Sequence, residues 1–385
     1  MTPIYFDHNA TTRVDDAVME AMLPYFQQEF GNPSSRHAYG IVARRAINKA
    51  REQVAAAVGV QPTQVIFTSG GSEANNLFIR GTADGLKPAN IFISAIEHPC
   101  ILQPTLELSR RTSERWTMQR LAVDNLGQIN VTAAEKAMAQ QKPDLVSVML
   151  ANNETGVIQD VTHIAEMARS HGAWMHTDAV QGLGKIPVDF ASLKVHAMTL
   201  SAHKIYGPKG AAALIVDKRL LLKPLIYGGG HENGMRSGTE NVPAIVGFGV
   251  ACELAKSRAA ETAEHVYKLR EHLEHGLIEM GAEIFGSRTG RIPNTCYFAL
   301  PDIEGDTLVV RLDKAGFAVA SGAACSSVNP GQSHVLEAMD VAPMLARCAV
   351  RVSLGRSNTL AQVDDFLKAT RHIVEALRQM NGITF

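Results

Sequence analysis

The chain has 385 residues, 46% hydrophobic and 19% charged, with a formal net charge of −1. A charge so near zero offers no basic field to nucleic acid or anionic lipid, and the length exceeds what one hydrophobic core usually serves, so two domains are expected. The opening MTPIYFDHNATT lacks a basic-then-apolar leader, and no apolar run reaches the roughly 18 residues of a spanning helix, so a cytoplasmic protein with no membrane and no direct nucleic-acid partner is expected. The five cysteines, Cys100, Cys252, Cys296, Cys325 and Cys348, are widely spaced and form no CxxC pair. That argues against a disulfide framework or a zinc site and for a reducing compartment. Asn9-Ala10-Thr11 matches a glycosylation sequon, which a cytoplasmic location makes irrelevant.

In chain order, residues 41–58 form the first clear helix: Ala43, Ile47, Ala50, Val54 and Val58 step by four and three, and Gly59 stands at the C′ position. VIFTS at 65–69 predicts a strand and a helix follows from about Glu73. IFISA at 91–95 is a second strand, followed by a helix from about Cys100. LVSVML at 145–150 and WMHTD at 174–178 flank a helix over 161–171, and AMTLS at 197–201 and AALIV at 212–216 close the series. Short apolar strands alternating with helices predict an α/β domain with a largely parallel sheet. Residues 242–280 are helical throughout. After them come a strand near 295–299, a helix over 303–315, a strand near 317–321, a helix from Ser333, a strand at 349–354 and a last helix over 360–379, the order of a smaller α+β domain.

Ligands of open α/β sheets bind at the carboxyl ends of the strands, and three polar clusters fall there. Thr68-Ser69-Gly70-Gly71-Ser72-Glu73 ends a strand and starts a helix, which suits a phosphate or is an ordinary turn. Asp178 closes the strand WMHTD. It either caps the next turn or holds a ring nitrogen protonated, with Gln181 in reach of a neighbouring ring oxygen. In SAHKIYGPKG, Lys204 follows a strand end among small residues, a setting in which a lysine can become a nucleophile toward an aldehyde. The stretch Ala320 to Gln332 surrounds Cys325 with small, turn-forming residues and reads as a loop carrying a reactive thiol. Cys252, Cys296 and Cys348 sit in helix or strand patterns. Cys100, at a helix start beside His98, is the rival thiol.

SAHKIYGPKG resembles the cofactor-lysine segment of the cysteine desulfurases, within the class V aminotransferases. The likeness continues through YFDHNATT, GNPSS at 31–35, TSGGSEANN at 68–76, EHP at 97–99, ANNETG at 151–156, HTDAVQ at 176–181, GGGHENGMRSGTEN at 228–241, SGAACSS at 321–327 and RVSLGR at 351–356. It implies a fold type I pyridoxal-phosphate enzyme: a mostly parallel seven-stranded sheet with helices on both faces plus a smaller α+β domain. The large cofactor domain would span 15–260, and the small domain 1–14 and 261–385. The resemblance makes pyridoxal 5′-phosphate the cofactor, bound to Lys204 as a Schiff base. Asp178 would pair with the pyridine nitrogen, Gln181 with the ring oxygen, His98 would stack on the ring, and Asn153 would lie beside it. Gly71, Ser72, Ser201 and His203 would hold the phosphate, and Thr239 would reach the phosphate of a partner subunit in a homodimer. Arg351 would clamp the carboxylate of L-cysteine, and Cys325 would take the sulfur as a persulfide. A sulfur-acceptor protein such as an iron–sulfur scaffold is implied. The ending at Phe385, soon after the last helix, leaves a nitrogenase-associated or thiolation-serving member equally open. No metal site is expected beyond a transient iron–sulfur ligand role for Cys325.

Overall fold

Alternation of apolar side chains along the strands decides how the main sheet is covered. The computed structural model of the chain describes residues 3–86, 90–110, 116–321 and 333–380. Seven strands lie in the order Val65–Thr68, Ala212–Val216, Ala197–Ser201, Trp174–Asp178, Leu145–Ser147, Asn90–Ser94 and Thr117–Leu121. Val65, Phe67, Phe92, Val146, Met198 and Ile215 enter one apolar cluster, while Ile66, Ile91, Ile93, Leu145, Leu214 and Val216 enter a second. Both faces are therefore dry, as a sheet with helical crossovers requires. Helices Ala38–Ala57, Val131–Gln140, Val161–Ser170 and the first half of Val242–Glu279 cover one face, and Gly71–Ala83 and Pro99–Arg110 cover the other.

Ala212–Val216 runs antiparallel to both its neighbours, and the remaining pairs are parallel. The other strands thus share one direction and bring their carboxyl ends to a common edge. The expected helix at 41–58 is Ala38–Ala57, and Gly59 just beyond it holds a left-handed φ of +72°. Thr117–Leu121 is an element the sequence pattern does not signal: TMQRL is an edge strand, mostly solvated, with no apolar run. Val148 and Leu150 extend the expected strand 145–150 beyond the regular ladder, their N–H groups donating to the carbonyls of His176 and Asp178.

A second, antiparallel sheet has the order Ala320–Ser321, Ala349–Ser353, Thr295–Ala299 and Glu283–Ile284. The single strand expected at 317–321 is split, because Phe317–Ala318 instead pairs in parallel with Ile4–Tyr5. Helices Gly305–Lys314 and Leu360–Met380 pack there around Phe298, Val350, Val352, Leu312 and Phe366. The 38-residue helix Val242–Glu279, about 57 Å long, serves both cores. Ile245, Phe248 and Cys252 belong to the large-sheet cluster, and Val266, Leu269, Leu273 and Leu277 to the small-sheet cluster. Among the described residues no helix is long and apolar enough to cross a membrane, and Cys100, Cys252, Cys296 and Cys348 are free thiols.

His176 is buried at the centre of the sheet, stacked on Phe78 and held between Ser147 Oγ (2.9 Å) and Thr199 Oγ1 (3.0 Å). Burial pushes its pKa down to about 3, so the ring stays neutral. The unfolded chain protonates this ring near the ordinary histidine value of 6.5, the folded chain only near 3, so in that window the unfolded state binds the extra proton. Stability therefore falls as pH drops from 6.5 toward 3, by on the order of 1 kcal/mol per pH unit for this side chain. Thermal midpoints measured at pH 7 and pH 5 are expected to decline, and His176→Gln should flatten the decline.

Candidate active site

At the end of strand Val65–Thr68 the chain turns into helix Gly71–Ala83, whose first N–H groups have no side-chain cap. Such a terminus carries partial positive charge and open donors. A Cβ at Gly71 would come within 3.3 Å of Val180 Cγ2, so glycine keeps this floor open. Gly71 and Ser72 line a cavity of about 330 Å³ together with His98, Asn153, Asp178, Gln181, Ser201, His203, Lys204 and Arg351. Ser201 Oγ is buried here with no hydrogen-bond partner among the described residues. His203 Nδ1 lies 3.2 Å from Thr11 Oγ1. Burial, then Lys204 and Lys209, push its pKa down to about 4.

Asp178 ends the strand Trp174–Asp178, and its two oxygens are engaged separately. Oδ2 accepts from Asn75 Nδ2 at 2.8 Å, and Oδ1 accepts from the Val180 N–H at 3.0 Å. His98 lines the same wall, its Nδ1 2.9 Å from Cys100 Sγ. Burial lowers the His98 pKa. Asp178 opposes that shift, while Lys204 and His334 add to it. Cys100 cannot serve as a ready thiolate: burial and the nearby Asp178 carboxylate push its pKa up to about 12. The sequence rival to Cys325 is therefore an inert thiol.

Lys204 lies in the turn Ala202–Lys204, just past strand Ala197–Ser201, and its Nζ donates to the carbonyls of Asn9 and Ala10, both at 2.6 Å. The sequence reading missed what holds this wall. Asn9 is almost fully buried and uses every polar atom. Its carbonyl also accepts from Gln181 Nε2 (3.0 Å), its Oδ1 from Lys185 Nζ (2.8 Å) and Asn294 Nδ2 (3.1 Å). Its Nδ2 donates to Thr295 Oγ1 (2.8 Å) and the Asn153 carbonyl (3.2 Å). Lys185 was also missed. Its Nζ donates to Gln181 Oε1 at 2.5 Å, and burial, with Lys204 and Arg351 nearby, drives its pKa well below the ordinary lysine value. Its spacing four residues after Gln181 was the only sequence signal.

Arg351 comes from the small sheet, in strand Ala349–Ser353. Its Nη2 donates to Asp7 Oδ1 at 2.7 Å and its Nη1 to the Asn153 carbonyl at 3.0 Å, while its buried Nε has no partner among the described residues. Thr239 is exposed and stands apart from this cavity in its own chain. Cys325 lies outside the described residues. On either side of residues 322–332, Ser321 pairs with Val350, beside Arg351, and Ser333 Oγ donates to Glu154 at 2.5 Å. His334 Nε2 is 2.9 Å from the Glu97 carbonyl. A second cavity of about 40 Å³, between Lys204, Tyr206, Arg258 and Arg356, is too small for a ring-sized ligand. Among the described residues no group of His, Cys, Asp and Glu side chains is arranged to hold a metal.

Pyridoxal phosphate asks a protein for donors to a dianion, an acceptor for a ring N–H and an amine for its aldehyde. The capless helix start with the unpartnered Ser201 hydroxyl, the Asp178 carboxylate and Lys204 are these groups, and they line one cavity, so the residues present fit the cofactor. Asn9→Ala would take one hydrogen-bond partner each from Lys185 Nζ, Asn294 Nδ2 and Thr295 Oγ1. A stability loss of about 2 kcal/mol and roughly tenfold weaker cofactor binding are expected, read by thermal melting and by visible-absorbance titration with pyridoxal phosphate.

Comparison with known proteins agrees with the likeness in sequence. The family model for aminotransferase class-V matches residues 4–366. A cysteine desulfurase of Gluconacetobacter diazotrophicus is 41% identical, with 99% of this chain and 96% of the relative covered. A solved NifS-like protein superposes with a TM-score of 0.91 at 38% identity, covering 97% of this chain and all of that one. A solved structure described as SspA in complex with cysteine has a TM-score of 0.80 at 31% identity, covering 92% of this chain and 99% of that one. The chain belongs to the class-V aminotransferase family, among its cysteine desulfurases.

Proposed function

We propose that this enzyme takes sulfur from L-cysteine, releases L-alanine and stores the sulfur as a persulfide on Cys325. The observation that carries this reading is the meeting of Lys204, Asp178 and the unpartnered Ser201 hydroxyl on one cavity, in a chain that matches cysteine desulfurases along almost its whole length. When bound, pyridoxal phosphate supplies an electron sink for negative charge at the substrate Cα. Gly71, Ser72, Ser201 and His203 would hold its phosphate, Asp178 would keep its ring nitrogen protonated, and Gln181, His98 and Asn153 would contact the ring.

Arg351 binds the carboxylate of L-cysteine, and its contacts to Asp7 and the Asn153 carbonyl keep the guanidinium oriented while it does so. Lys204 Nζ would hold the cofactor through its aldehyde and is the base placed to move the substrate Cα proton. Cys325, as thiolate, attacks the substrate sulfur. The carbon–sulfur bond breaks as a sulfur–sulfur bond forms, and Cβ gains the proton that makes alanine. The sum is L-cysteine plus a thiol giving L-alanine plus a persulfide, with no outside oxidant. His98 lines the same cavity, within reach of the substrate sulfur.

The same reading makes the enzyme a cytoplasmic homodimer with a large domain of 15–260 and a small domain of 1–14 and 261–385. Thr239 would contact the phosphate site of the partner subunit. Exposed apolar groups support a subunit contact: Phe26, Phe30, Tyr39, Leu221 and Tyr227, with segments 34 and 231 joined by a Ser34–His231 hydrogen bond. The sulfur then passes to an acceptor protein such as an iron–sulfur scaffold. Pure protein is expected to be yellow and to release alanine from L-cysteine. Lys204→Ala should lower turnover by about a thousandfold. Cys325→Ala should retain the visible absorbance but form no protein persulfide. A persulfide formed at full rate in that variant sinks the role of Cys325.

A further inference from the structure

Cys100 sits in a short chain of hydrogen bonds along the wall of the cavity. Asn75 Nδ2 lies 2.8 Å from Asp178 Oδ2 and 3.0 Å from Cys100 Sγ, and Cys100 Sγ lies 2.9 Å from His98 Nδ1. The direction of each bond follows from chemistry. An amide nitrogen only donates, so Asn75 gives one hydrogen to the carboxylate and one to the sulfur. Exchanging the amide atoms would set an oxygen against Asp178 Oδ2, which excludes the flipped orientation. The sulfur, already accepting, is left to turn its own hydrogen toward His98 Nδ1. The Cys100 backbone N–H donates to that same Nδ1 from 3.2 Å. Burial and the Asp178 carboxylate keep the thiol protonated, with its pKa up at about 12, so it has a hydrogen to give. His98 faces Asp178, Lys204 and His334, and burial, its dominant influence, favours the neutral ring.

We propose that Cys100 is a positioning residue that, with Asn75, ties Asp178 to His98 and locks the neutral His98 ring with its hydrogen on Nε2. The lone pair able to take a proton then faces Cys100, and the nitrogen left to the cavity is a donor. His98 meets the substrate sulfur by donating a hydrogen bond, which favours a thiolate, and it does not accept the thiol proton at Nε2. What this donor serves rests on the desulfurase reading. The tautomer itself does not.

The full-length protein, labelled with 15N in its histidine rings, can be examined by long-range proton–nitrogen correlation, with His98 assigned by its loss in His98→Asn. The wild type is expected to have Nε2 protonated and Nδ1 bare. Cys100→Ala removes the thiol donor and should raise the His98 pKa, weakening its acid dissociation about fivefold. Cys100→Ser, which keeps a donor, should restore the wild-type titration. A proton on Nδ1 in the wild type, or an unchanged His98 titration in Cys100→Ala, overturns the proposal. Failure to release alanine from L-cysteine would overturn the desulfurase reading alone, since the tautomer is read without turnover.

Discussion

The site depends on the burial of one short N-terminal segment between two hydrophobic cores. Phe6 is fully buried in the small-sheet cluster, packed against Phe317 and Phe366. Its backbone and that of His8 bond to Ser353 at the end of a small-sheet strand. Six residues on, Thr12 bonds to the carbonyl of His203 through both its N–H and its hydroxyl. Between these anchors Asn9 has no water to turn to, so each of its polar atoms must find a protein partner. Those partners are Lys204, Gln181, Lys185, Asn153, Asn294, Thr295 and the Ser353 hydroxyl. Lys204 and Gln181 on one side of the cavity and Asn153 and Thr295 on the other are thereby referenced to one residue.

The electrostatics of the cavity follow from the same crowding. Lys185, Lys204 and Arg351 converge on a wall where Asp178 and Asp7 are the nearby carboxylates. A cavity with surplus positive charge and open amides favours a dianionic phosphate and an amino-acid carboxylate. Lys185 holds its proton weakly, first because it is buried and then because Lys204 and Arg351 lie nearby. Its Nζ fixes the orientation of the Gln181 amide, so the oxygen of Gln181 is committed and its nitrogen faces the other way.

Two thiols of this chain differ in their sequence settings. Cys100 starts a helix, where a thiolate would be favoured, yet burial beside Asp178 overrides the helix dipole and keeps the thiol protonated. It becomes a hydrogen-bond donor to His98. Cys325 belongs to a run of small residues, and the described residues on either side of that run are tied to the cavity through Val350, beside Arg351, and through Glu154 and Glu97.

Local pattern determined a good deal. Alternation and apolar runs located most strands of the large sheet, and the helix of 38–57 with its terminal Gly59 was legible from spacing alone. The strand-end positions of Gly71, Asp178 and Lys204 followed from those runs, and the family motifs suggested the roles proposed for them. Tertiary structure decided the rest, because it depends on contacts distant in sequence. Edge strand Thr117–Leu121 carries too little apolar surface to announce itself, and Phe317–Ala318 leaves its expected strand only because Ile4–Tyr5 offers a partner more than 300 residues away. Asn9 enters the sequence reading only as part of a discounted sequon, yet it is buried, because Phe6 before it and Thr12 after it are anchored on different parts of the fold. The protonation states of Cys100 and Lys185 likewise lie beyond sequence, since they are set by how much water and which charges the folded chain leaves around them.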